Sequence, residues 1–339
     1  MFRNKNILIT GGTGTIGKEI VKRLFKLSPK TIRIYSRDET EQFYMKNELN
    51  NHPKLRFLVG DVRDKERLKL AMNDINVVFH TAALKHVESC EYNPFEAVKT
   101  NVIGIQNIID TALESNVERV IYTSSDKAAN PNNTMGATKL LGERLMISAN
   151  FFKGKKKTIF ASVRFGNVMG SRGSVIPLFK KQIRSTKTIT ITNPEMTRFM
   201  MTMTQAIDLV FKCTKLATGG EIFILKMPVL RLKDLAKIII DEYTPKFNID
   251  PKSIMIKEIG IKNGETMYEE LMTEEESMRA LETKNMFIIP INIENYTKKL
   301  KKYKISFRKV KKYCKYDSRD QKVLNIEDVK RLLKKEKIV

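Results

Sequence analysis

A glycine-rich segment near the start of the chain has the composition and spacing of a phosphate-binding turn. It reads Gly11-Gly12-Thr13-Gly14-Thr15-Ile16-Gly17 and lies between a run of apolar residues and an amphipathic helical pattern. Glycines here permit a tight turn, a close approach of the backbone to a pyrophosphate, and close packing of helix on strand. The free N–H groups at the start of the helix would attract the anion. We therefore predict a dinucleotide site that uses Gly11, Thr13, Gly14, Thr15, Ile16 and Gly17, with a glycine turn that holds no ligand as the alternative.

The residues after the second and third strand-like runs are expected at the adenosine half of that cofactor. The second run ends in Ser36-Arg37-Asp38. A hydroxyl followed by a guanidinium suits the 2′-phosphate of NADP, whereas Asp38 supports the opposite reading because a carboxylate can hold a ribose hydroxyl of NAD. We predict NADP. Asp61 and Val62 follow the third run and are expected at the adenine, unless they form only a solvated turn.

Small residues and two basic side chains follow the fourth strand-like run. Ala82 and Ala83 leave room for the nicotinamide ribose, and Lys85 and His86 would face the ligand crevice at the carboxyl end of the sheet. Asn101 lies inside the next helical pattern, where Asn is a mediocre helix former. It is either a surface residue or a support for the active site, and we count it with the cofactor-binding residues.

The elements that must position these residues alternate between strands and helices over the first half of the chain. Apolar runs predict strands at 6–10, 31–35, 55–59, 77–81, 120–123 and 158–163. Helical periodicity predicts helices at 16–27, 39–49, 65–72, 94–115 and 135–150. Strands separated by helices of this length form a parallel sheet covered on both faces. The sequence therefore predicts an α/β protein with a Rossmann-type, doubly wound sheet.

The alternation weakens after about residue 166, where loop-like stretches separate more isolated helices. We predict an NADP-binding domain at 1–167, to which the chain returns near 203–228. Residues 168–339 then form mainly a smaller, substrate-binding domain with a basic C-terminal tail.

Composition excludes several classes of protein but leaves open whether the chain has a polyanionic partner. The net charge is +24, and the last 44 residues contain 17 Lys or Arg against 5 Asp or Glu, which suggests a polyanionic partner without choosing one. No apolar stretch is long enough to span a bilayer, and no signal peptide is expected. Three scattered cysteines and three histidines predict neither a disulfide framework nor a metal site. We expect a cytoplasmic protein.

The segment after the fifth strand combines hydroxyl, carboxylate and ammonium side chains. It reads Thr123-Ser124-Ser125-Asp126-Lys127-Ala128-Ala129-Asn130-Pro131 and is followed by Met135-Gly136-Ala137-Thr138-Lys139. This arrangement resembles the extended short-chain dehydrogenase/reductase superfamily. Within the superfamily it resembles the nucleotide-sugar 4,6-dehydratases that act on UDP-N-acetylglucosamine, a polysaccharide biosynthesis group. Further matching segments extend over the whole chain, at 36–39, 90–94, 163–168, 170–177, 196–199, 264–265 and 316–318.

The resemblance implies roles for five residues around this segment. The superfamily base is normally a tyrosine where this chain has Met135, and a thioether cannot take a proton. Lys139 is therefore expected to take the 4-hydroxyl proton of the sugar, provided that burial and cofactor charge lower its pKa. Lys127 would remove the C5 proton, Asp126, protonated for this purpose, would release the C6 hydroxyl as water, and Ser125 would bind the C4 oxygen. The alternative for Asp126 and Lys127 is a solvated ion pair in a loop.

The resemblance also implies a reaction and its ligands. NADP would take a hydride from C4 and return it to C6, which gives a 4-keto-6-deoxy sugar that we expect to be inverted at C5. The residues expected to contact the UDP-sugar are Lys85, His86, Asn167, Arg172, Val175, Asn193 and Arg198. Each arginine could instead be one of the many surface cations. A homodimer through the helices at 94–115 and 135–150 is also implied.

Three other functions stay open at this point. The chain could be a retaining 4,6-dehydratase or a 4-epimerase of a UDP-sugar. From a different class, it could be an inactive Rossmann protein that binds nucleic acid through its basic tail. Against the last, the tail has few aromatic residues, and its final helix alternates Lys with apolar Val329, Leu332 and Leu333. We expect no nucleic-acid partner.

Overall fold

The computed structural model of the chain describes residues 1–310 and 313–339. The strands are β1 Asn6–Thr10, β2 Thr31–Ser36, β3 Leu55–Val59, β4 Val77–His80, β5 Arg119–Ser125, β6 Ile159–Phe165, β7 Asn167–Val168, β8 Thr188–Ile191, β9 Thr197–Met201, β10 Ile222–Leu225, β11 Val229–Arg231, β12 Met255–Glu258, β13 Glu270–Met272, β14 Leu281–Glu282, β15 Met286–Ile289, β16 Arg308–Lys309 and β17 Tyr316–Asp317. The α-helices are α1 Thr15–Phe25, α2 Glu39–Glu48, α3 Lys65–Met72, α4 Val87–Tyr92, α5 Pro94–Val98, α6 Gly104–Glu114, α7 Thr134–Phe152, α8 Val175–Thr186, α9 Met203–Leu216, α10 Leu232–Tyr243, α11 Glu274–Ser277, α12 Ile293–Lys302 and α13 Ile326–Lys335.

Within the described residues the main sheet has ten strands, in the order β16-β14-β15-β10-β6-β5-β4-β1-β2-β3. The strands from β3 to β10 in this order are parallel, and β15, β14 and β16 continue the sheet antiparallel. The order β3-β2-β1-β4-β5-β6 is that of a Rossmann fold, whose ligand crevice opens where the strand order reverses, between β1 and β4. The predicted α/β, doubly wound fold is therefore confirmed.

The strands nearest the crevice are buried because helices cover both faces of the sheet. All four residues of β4 are buried, and β1 is buried from its second residue onward. On one face α1 and α9 pack against the sheet, and on the other α3, α6 and α7 do so. Such continuous apolar strands are what a parallel sheet with two covered faces requires.

The predicted helix at 94–115 is present but has a different geometry at its centre. A π-helical segment, Lys99–Ile103, connects α5 to α6. Single π turns inside α-helices are often found at functional sites. Asn101 lies in this segment and is buried.

A second core lies beyond the main sheet and is built by later parts of the chain. Helices α8, α10 and α13 surround it, with apolar residues of β8 and β9. The chain passes back into the main sheet at β10 and again at β14, β15 and β16. The sequence predicted the return at β10 but did not indicate the one at β14, β15 and β16. The domain boundary at residue 167 stays a prediction.

The basic C-terminal region is folded where the structure describes it. Tyr296 and Leu300 of α12 are buried, as are Val329 and Leu333 of α13. The lysines of these helices lie mainly on the opposite, exposed faces. This arrangement is that of amphipathic helices packed on a core rather than of an extended basic arm.

Candidate active site

The glycine turn after β1 has no room for side chains. Gly11 has a φ of +65°, and a Cβ on it would lie 2.7 Å from the backbone nitrogen of Ala82. A Cβ on Gly17 would lie 2.5 Å from the Gly11 carbonyl oxygen. Gly14 precedes the first residue of α1, Thr15, and no capping side chain bonds to the N-terminus of this helix. The turn therefore has the close packing and the available helix N-terminus that a pyrophosphate site needs.

The residues after β2 divide between a helix cap and an exposed cation. Asp38 caps α2, and its carboxylate accepts a hydrogen bond from the Glu41 N–H at 2.8 Å. Ser36 is buried, and its hydroxyl accepts from the Gln42 side chain at 3.0 Å. Arg37 is exposed. At this end of the crevice, Arg37 is thus the side chain available to an anion.

The residues after β3 are fixed by local contacts. The Asp61 carboxylate accepts hydrogen bonds from the Arg63 backbone at 3.0 Å and from its Nε at 2.8 Å. The Asp61 carbonyl accepts from the Tyr35 hydroxyl at 2.8 Å. Val62 is buried against Gly104 at the start of α6. These contacts hold the end of β3 in place beside β2.

Asn101 holds the loop that follows β4. Its side-chain oxygen accepts from the Leu84 N–H at 2.8 Å, and its amide donates to the Leu84 carbonyl and to the Thr138 hydroxyl, each at 3.0 Å. Because the side chain is buried and both its polar atoms bond to protein, it positions the loop relative to α7. The loop residues Ala82 and Ala83 are partly buried, as are Thr13 and Ile16 of the glycine turn.

Arg172 lies on the cofactor side of the crevice. Its backbone N–H donates to the Thr15 hydroxyl at 3.2 Å, its carbonyl accepts from the Lys85 ammonium at 2.7 Å, and its guanidinium pairs with Glu41 of α2. Burial and the Arg172 charge lower the pKa of Lys85. The expected contact of Arg172 with the UDP-sugar stays a prediction. In the structure, the Arg172 backbone lies beside the glycine turn, at Thr15.

The other predicted substrate residues near the crevice have local roles. The His86 ring lies against Gly173 of the Arg172 loop, where a Cβ would come within 2.7 Å of it. The Asn193 side chain accepts from the Glu195 N–H at 2.9 Å in the turn before β9. Val175 begins α8 and packs against the second core. Their contacts with a substrate stay predictions.

An ion pair between a buried aspartate and a lysine whose side chain is 30% exposed follows β5. Asp126 is buried, and its carboxylate accepts from the Ser125 hydroxyl at 2.6 Å and from the Lys127 ammonium at 2.8 Å. Burial alone would raise the pKa of Asp126, but the charge and hydrogen bond of Lys127 outweigh it and lower that pKa. Burial would likewise lower the pKa of Lys127, and the charges of Asp126 and Glu269 raise it instead. The resting pair is therefore carboxylate and ammonium.

This resting state differs from the expectation that Asp126 carries a proton. The 2.8 Å hydrogen bond between the two groups offers a direct route for the proton to pass from Lys127 to Asp126. After that transfer, Asp126 is an acid and Lys127 is a neutral amine. The pair can thus reach the protonation states that the predicted roles require.

Lys139 and Met135 lie on α7, facing the end of β5. The Lys139 ammonium donates to the Thr123 carbonyl at 3.0 Å and lies 4.9 Å above the Tyr122 ring. Burial lowers the pKa of Lys139 to about 8, so a substantial fraction is neutral near that pH. Met135 is buried against Cys90. The position at which the resemblance implies a tyrosine is thus apolar here, and the role of Lys139 as the proton acceptor stays a prediction.

A glutamate that sequence reasoning missed completes the site. Glu269 is 5% exposed, and its carboxylate accepts two hydrogen bonds of 2.9 Å from the Asn167 amide and one of 3.0 Å from the Phe199 N–H. It lies 3.5 Å from the Lys127 ammonium and 3.4 Å from Nε of Arg198. Burial and the neighbouring negative charge of Asp126 raise the pKa of Glu269 to about 7. Two predicted substrate residues, Asn167 and Arg198, thus face this carboxyl.

The sequence contained one signal for this residue. Glu269 precedes Glu270 and the apolar pair Leu271-Met272, which are strand-like and buried. An acidic residue beside such a run is expected either to be exposed to solvent or to pair with a buried polar group. The sequence does not show which of these applies to Glu269, because its partners Asn167 and Arg198 are distant along the chain.

A cavity of about 210 Å³ opens beside the ion pair. Asp126, Lys127 and Glu269 form part of its wall. The rest of its lining is mostly polar and charged, namely Asn130, Asn132, Thr266, Met267, Tyr268, Glu270, Lys315, Asp317 and Arg319. The three ionisable groups can therefore exchange protons with water that enters this cavity.

Comparison with known proteins agrees with this geometry. The profile of the family described as polysaccharide biosynthesis protein matches residues 7–291. The chain belongs to this family. Its resemblance to the extended short-chain dehydrogenase/reductases, seen first around Lys127 and Lys139, is thereby confirmed.

Two similar proteins carry names that state different activities. The protein named UDP-N-acetylglucosamine 4,6-dehydratase (inverting) from Campylobacter jejuni is 44% identical over 296 residues, which cover 87% of this chain and 85% of the relative. The protein named UDP-glucose 4-epimerase from Rickettsia rickettsii is 41% identical over 339 residues, or 98% of this chain and 96% of the relative. The solved structure of Pen from Bacillus thuringiensis is 47% identical, with a TM-score of 0.91 and 98% coverage of both chains.

Proposed function

We propose that this family member is a UDP-N-acetylglucosamine 4,6-dehydratase that inverts C5 and uses NADP. The observation that carries the proposal is the Asp126–Lys127 pair, joined at 2.8 Å and separate from Lys139. Epimerisation at C4 needs one proton acceptor, for the 4-hydroxyl. Dehydration needs in addition a base at C5 and an acid at the C6 hydroxyl. The Asp126–Lys127 pair supplies this second set.

Lys139 takes the proton of the 4-hydroxyl. Its lowered pKa, about 8, makes the neutral amine accessible near neutral pH, and the apolar Met135 beside it cannot compete for that proton. The Ser125 hydroxyl lies at the end of β5 and hydrogen-bonds the C4 oxygen once it has released Asp126.

The Asp126–Lys127 pair then acts on C5 and C6. Once C4 is a ketone, the C5 proton is acidic, and the neutral amine of Lys127 removes it. Asp126 gives its proton to the C6 hydroxyl, which leaves as water. Lys127 keeps the C5 proton, which returns the pair to its resting state. A proton from solvent then reaches C5 from the opposite face, and the C5 configuration is inverted.

The residues present fit a dinucleotide cofactor. Gly11 and Gly17 leave a turn in which any Cβ would collide with backbone, beside a helix N-terminus that is open to an anion. Bound there, NADP would accept a hydride from the sugar and later return it. We propose NADP over NAD because Arg37 is exposed at the ribose end, whereas the Asp38 carboxylate already caps α2.

The decisive experiment is to incubate the purified protein with UDP-N-acetylglucosamine and analyse the product by mass spectrometry and proton NMR. We expect loss of one water, a new C6 methyl group, and inverted configuration at C5, with deuterium at C5 when the solvent is deuterium oxide. A product that keeps its C5 configuration would identify a retaining enzyme. Absence of turnover with any UDP-sugar, together with salt-sensitive DNA binding, would overturn the enzyme proposal.

A UDP-sugar 4-epimerase is the second candidate, and the Rickettsia rickettsii relative favours it. Such an enzyme would use Lys139 alone for proton transfer and would leave the 6-hydroxyl in place. Parallel incubations with UDP-glucose and UDP-N-acetylglucosamine separate the two candidates. An intact 6-hydroxyl and an inverted C4 would identify the epimerase.

We also propose a cytoplasmic homodimer. Large apolar side chains are exposed on the helices that the resemblance assigns to the interface, among them Phe95, Ile103, Leu141 and Phe151. An apolar surface of this kind is usual where two subunits meet. The described residues include no helix that is long and apolar enough to cross a membrane. Light scattering of the purified protein tests the dimer.

A further inference from the structure

The loop between β7 and α8 extends from the second core to the ligand crevice. It comprises residues 170–174, which we call the strap. Its two ends are anchored in the second core, because Met169 before it and Ile176 after it are buried there. Its middle residue, Arg172, contacts three separate elements around the crevice. The strap therefore joins the second core to the dinucleotide-binding half of the molecule.

The contacts of Arg172 follow the path that a dinucleotide takes on this fold. The pyrophosphate lies at the N-terminus of the first helix, and the adenosine ribose lies at the end of the second strand. The Arg172 N–H donates to the hydroxyl of Thr15, the first residue of α1, at 3.2 Å. The Arg172 guanidinium pairs with Glu41 in the first turn of α2, which begins just after β2. Arg172 thus spans the interval from the expected pyrophosphate to the expected ribose.

We propose that Arg172 is a cofactor-binding residue that holds the 2′-phosphate of NADP together with Arg37, an inference that rests on the proposed function. In this role the guanidinium exchanges the Glu41 carboxylate for the phosphate and keeps the strap at the crevice. Arg172 then helps to select the dinucleotide, because NAD has a hydroxyl in place of that phosphate. The resemblance implied a contact of Arg172 with the UDP-sugar instead.

The guanidinium of Arg172 is accessible enough for such an exchange. Its side chain is 69% exposed, and that of Glu41 is 29% exposed. Ion pairs this accessible contribute little to stability, so the partner is easily replaced. A phosphate monoester carries a charge of about −2 near pH 7, twice that of a carboxylate, and has more acceptor oxygens. Because the planar fork of arginine binds two such oxygens at once, a phosphate here is the stronger partner.

Arg37 is the second cation at this place. It is exposed and precedes Asp38, the residue that caps α2. The Asp38 carboxylate is occupied by the Glu41 N–H at 2.8 Å. The start of α2 is therefore approached by two guanidinium groups, one from the end of β2 and one from the strap.

The backbone of the strap is held independently of the Arg172 side chain. Gly170 and Gly173 flank Arg172 with φ of +71° and +73°, a conformation that favours glycine. The Lys85 ammonium donates to the Arg172 carbonyl at 2.7 Å, and the His86 ring lies against Gly173. The loop after β4 thus supports the strap, and only the Arg172 side chain has to move when its partner changes.

The ratio of NADP to NAD bound by the protein tests this role without any turnover. The purified protein is equilibrated with a known mixture of the two dinucleotides and recovered by rapid filtration, and the bound dinucleotides are quantified by mass spectrometry. Arg172→Gln should lower the bound ratio of NADP to NAD by about tenfold or more, because a charge-assisted contact with the phosphate is lost. Its affinity for NAD should stay close to that of the wild type.

Two further variants sharpen the test. Glu41→Gln should raise the ratio of NADP to NAD by about two- to fivefold, because the guanidinium loses its competing carboxylate. The same change should have a smaller effect where Arg172 is already replaced, since the two residues then no longer interact. Arg331→Gln removes an arginine from an exposed pair with Asp328 on α13 and should keep the wild-type ratio.

An Arg172→Gln variant with the wild-type ratio would overturn the assignment. Weaker binding of UDP by that variant would then place Arg172 at the sugar nucleotide, and equal weakening of both dinucleotides would place it at the pyrophosphate. A wild type that prefers NAD or binds neither dinucleotide would overturn the proposed cofactor as well, and this result is visible before any variant is made. Circular dichroism shows that the variants are folded.

Discussion

Two clusters of charged side chains, the first fully buried and the second partly exposed, share one segment of the chain and are built differently. In the first, Arg164 of β6 lies between Glu143 of α7 and Glu276 of α11, and all three are buried. In the second, Asp126, Lys127 and Arg198 surround Glu269. The segment 269–276 therefore contributes one glutamate to each cluster.

The first cluster is fully paired. The Arg164 guanidinium donates to both oxygens of Glu143 and to both oxygens of Glu276, the latter at 2.8 and 2.9 Å, and also to the Leu271 carbonyl at 2.9 Å. The planar fork of arginine suits such two-oxygen contacts. The charge of Arg164 keeps the pKa of Glu276 low although burial alone would raise it. Glu276 is therefore held as a carboxylate.

The second cluster is looser around its glutamate. Lys127 and Arg198 approach Glu269 only to 3.5 and 3.4 Å, and the pKa of Glu269 is raised. A cavity borders this cluster. The difference teaches that complete pairing fixes the charge of a buried group and makes the loss of one partner costly. Where pairing is incomplete and water has access, the same residue types are able to exchange protons.

The largest effect is expected from breaking the fully paired cluster. Arg164→Met would leave Glu143 and Glu276 buried without a cation, and removing one partner of a buried pair costs about 3–5 kcal/mol of unfolding free energy. Urea unfolding followed by circular dichroism measures the loss. Arg144→Met, at an exposed position on the same helix, should change stability by less than about 0.5 kcal/mol. Equal stability of the two variants would contradict a structural role for the cluster.

The next effect comes from the second cluster and should appear in rate. Asp126→Asn removes the proposed acid but keeps the shape of the side chain, and we expect kcat with UDP-N-acetylglucosamine to fall about 100- to 1000-fold. Unfolding free energy should change by less than about 1 kcal/mol, because Lys127 retains Glu269 as a partner. Asp241→Asn on the exposed face of α10 is the matched control. A large loss of stability with little loss of rate would reverse the assignment of the two clusters.

The contrast between the clusters also separates what the sequence could predict from what it could not. The parallel sheet, the glycine turn and the residues after β5 depend on local patterns, so the sequence predicted the fold and the positions of Asp126, Lys127 and Lys139. Asp38 was ambiguous in the sequence, and its use as a cap depends on where α2 begins.

The missing parts depend on long-range contacts. Glu269 reaches Asn167 across 102 positions of the chain, and Arg164 reaches Glu276 across 112. Nothing in the neighbourhood of Arg164 in the sequence marks it as buried, because its partners come from α7 and α11. The protonation states of Asp126 and Lys127 also follow from burial and pairing, which a single sequence does not specify.

A smaller effect is expected in the pH dependence of stability. Glu269 has its pKa raised from 4.5 to about 7 on folding. Between these values the folded chain keeps a proton that the unfolded chain loses, so stability falls as pH rises through this window. The lowered pKa of Glu276 has the opposite sign, because its contribution is lost as pH falls below about 4.5. The two clusters thus affect stability on opposite sides of pH 4.5.

Urea unfolding at pH 5 and pH 8 measures the Glu269 contribution. The decrease between the two pH values should be greater in the wild type than in Glu269→Gln by about 2 kcal/mol. Burial lowers the pKa of His80 to about 3, which gives stability a slope of opposite sign. That slope cancels in the difference between the two chains. Glu275→Gln should follow the wild type, and an identical decrease in all three proteins would show that Glu269 ionises normally.

The smallest effect is expected at an ion pair that lies outside both clusters. Arg172 pairs with Glu41, but its side chain is 69% exposed, and exposed pairs contribute about 0–1 kcal/mol. Arg172→Gln should therefore change the unfolding free energy by less than about 1 kcal/mol. Arg331→Gln, which breaks the exposed pair with Asp328, should do the same. A loss near that of Arg164→Met would show that burial does not distinguish these pairs. A small loss would show that the Glu41 pair does little to hold the Arg172 loop in place, which leaves this guanidinium free to change partner at little cost.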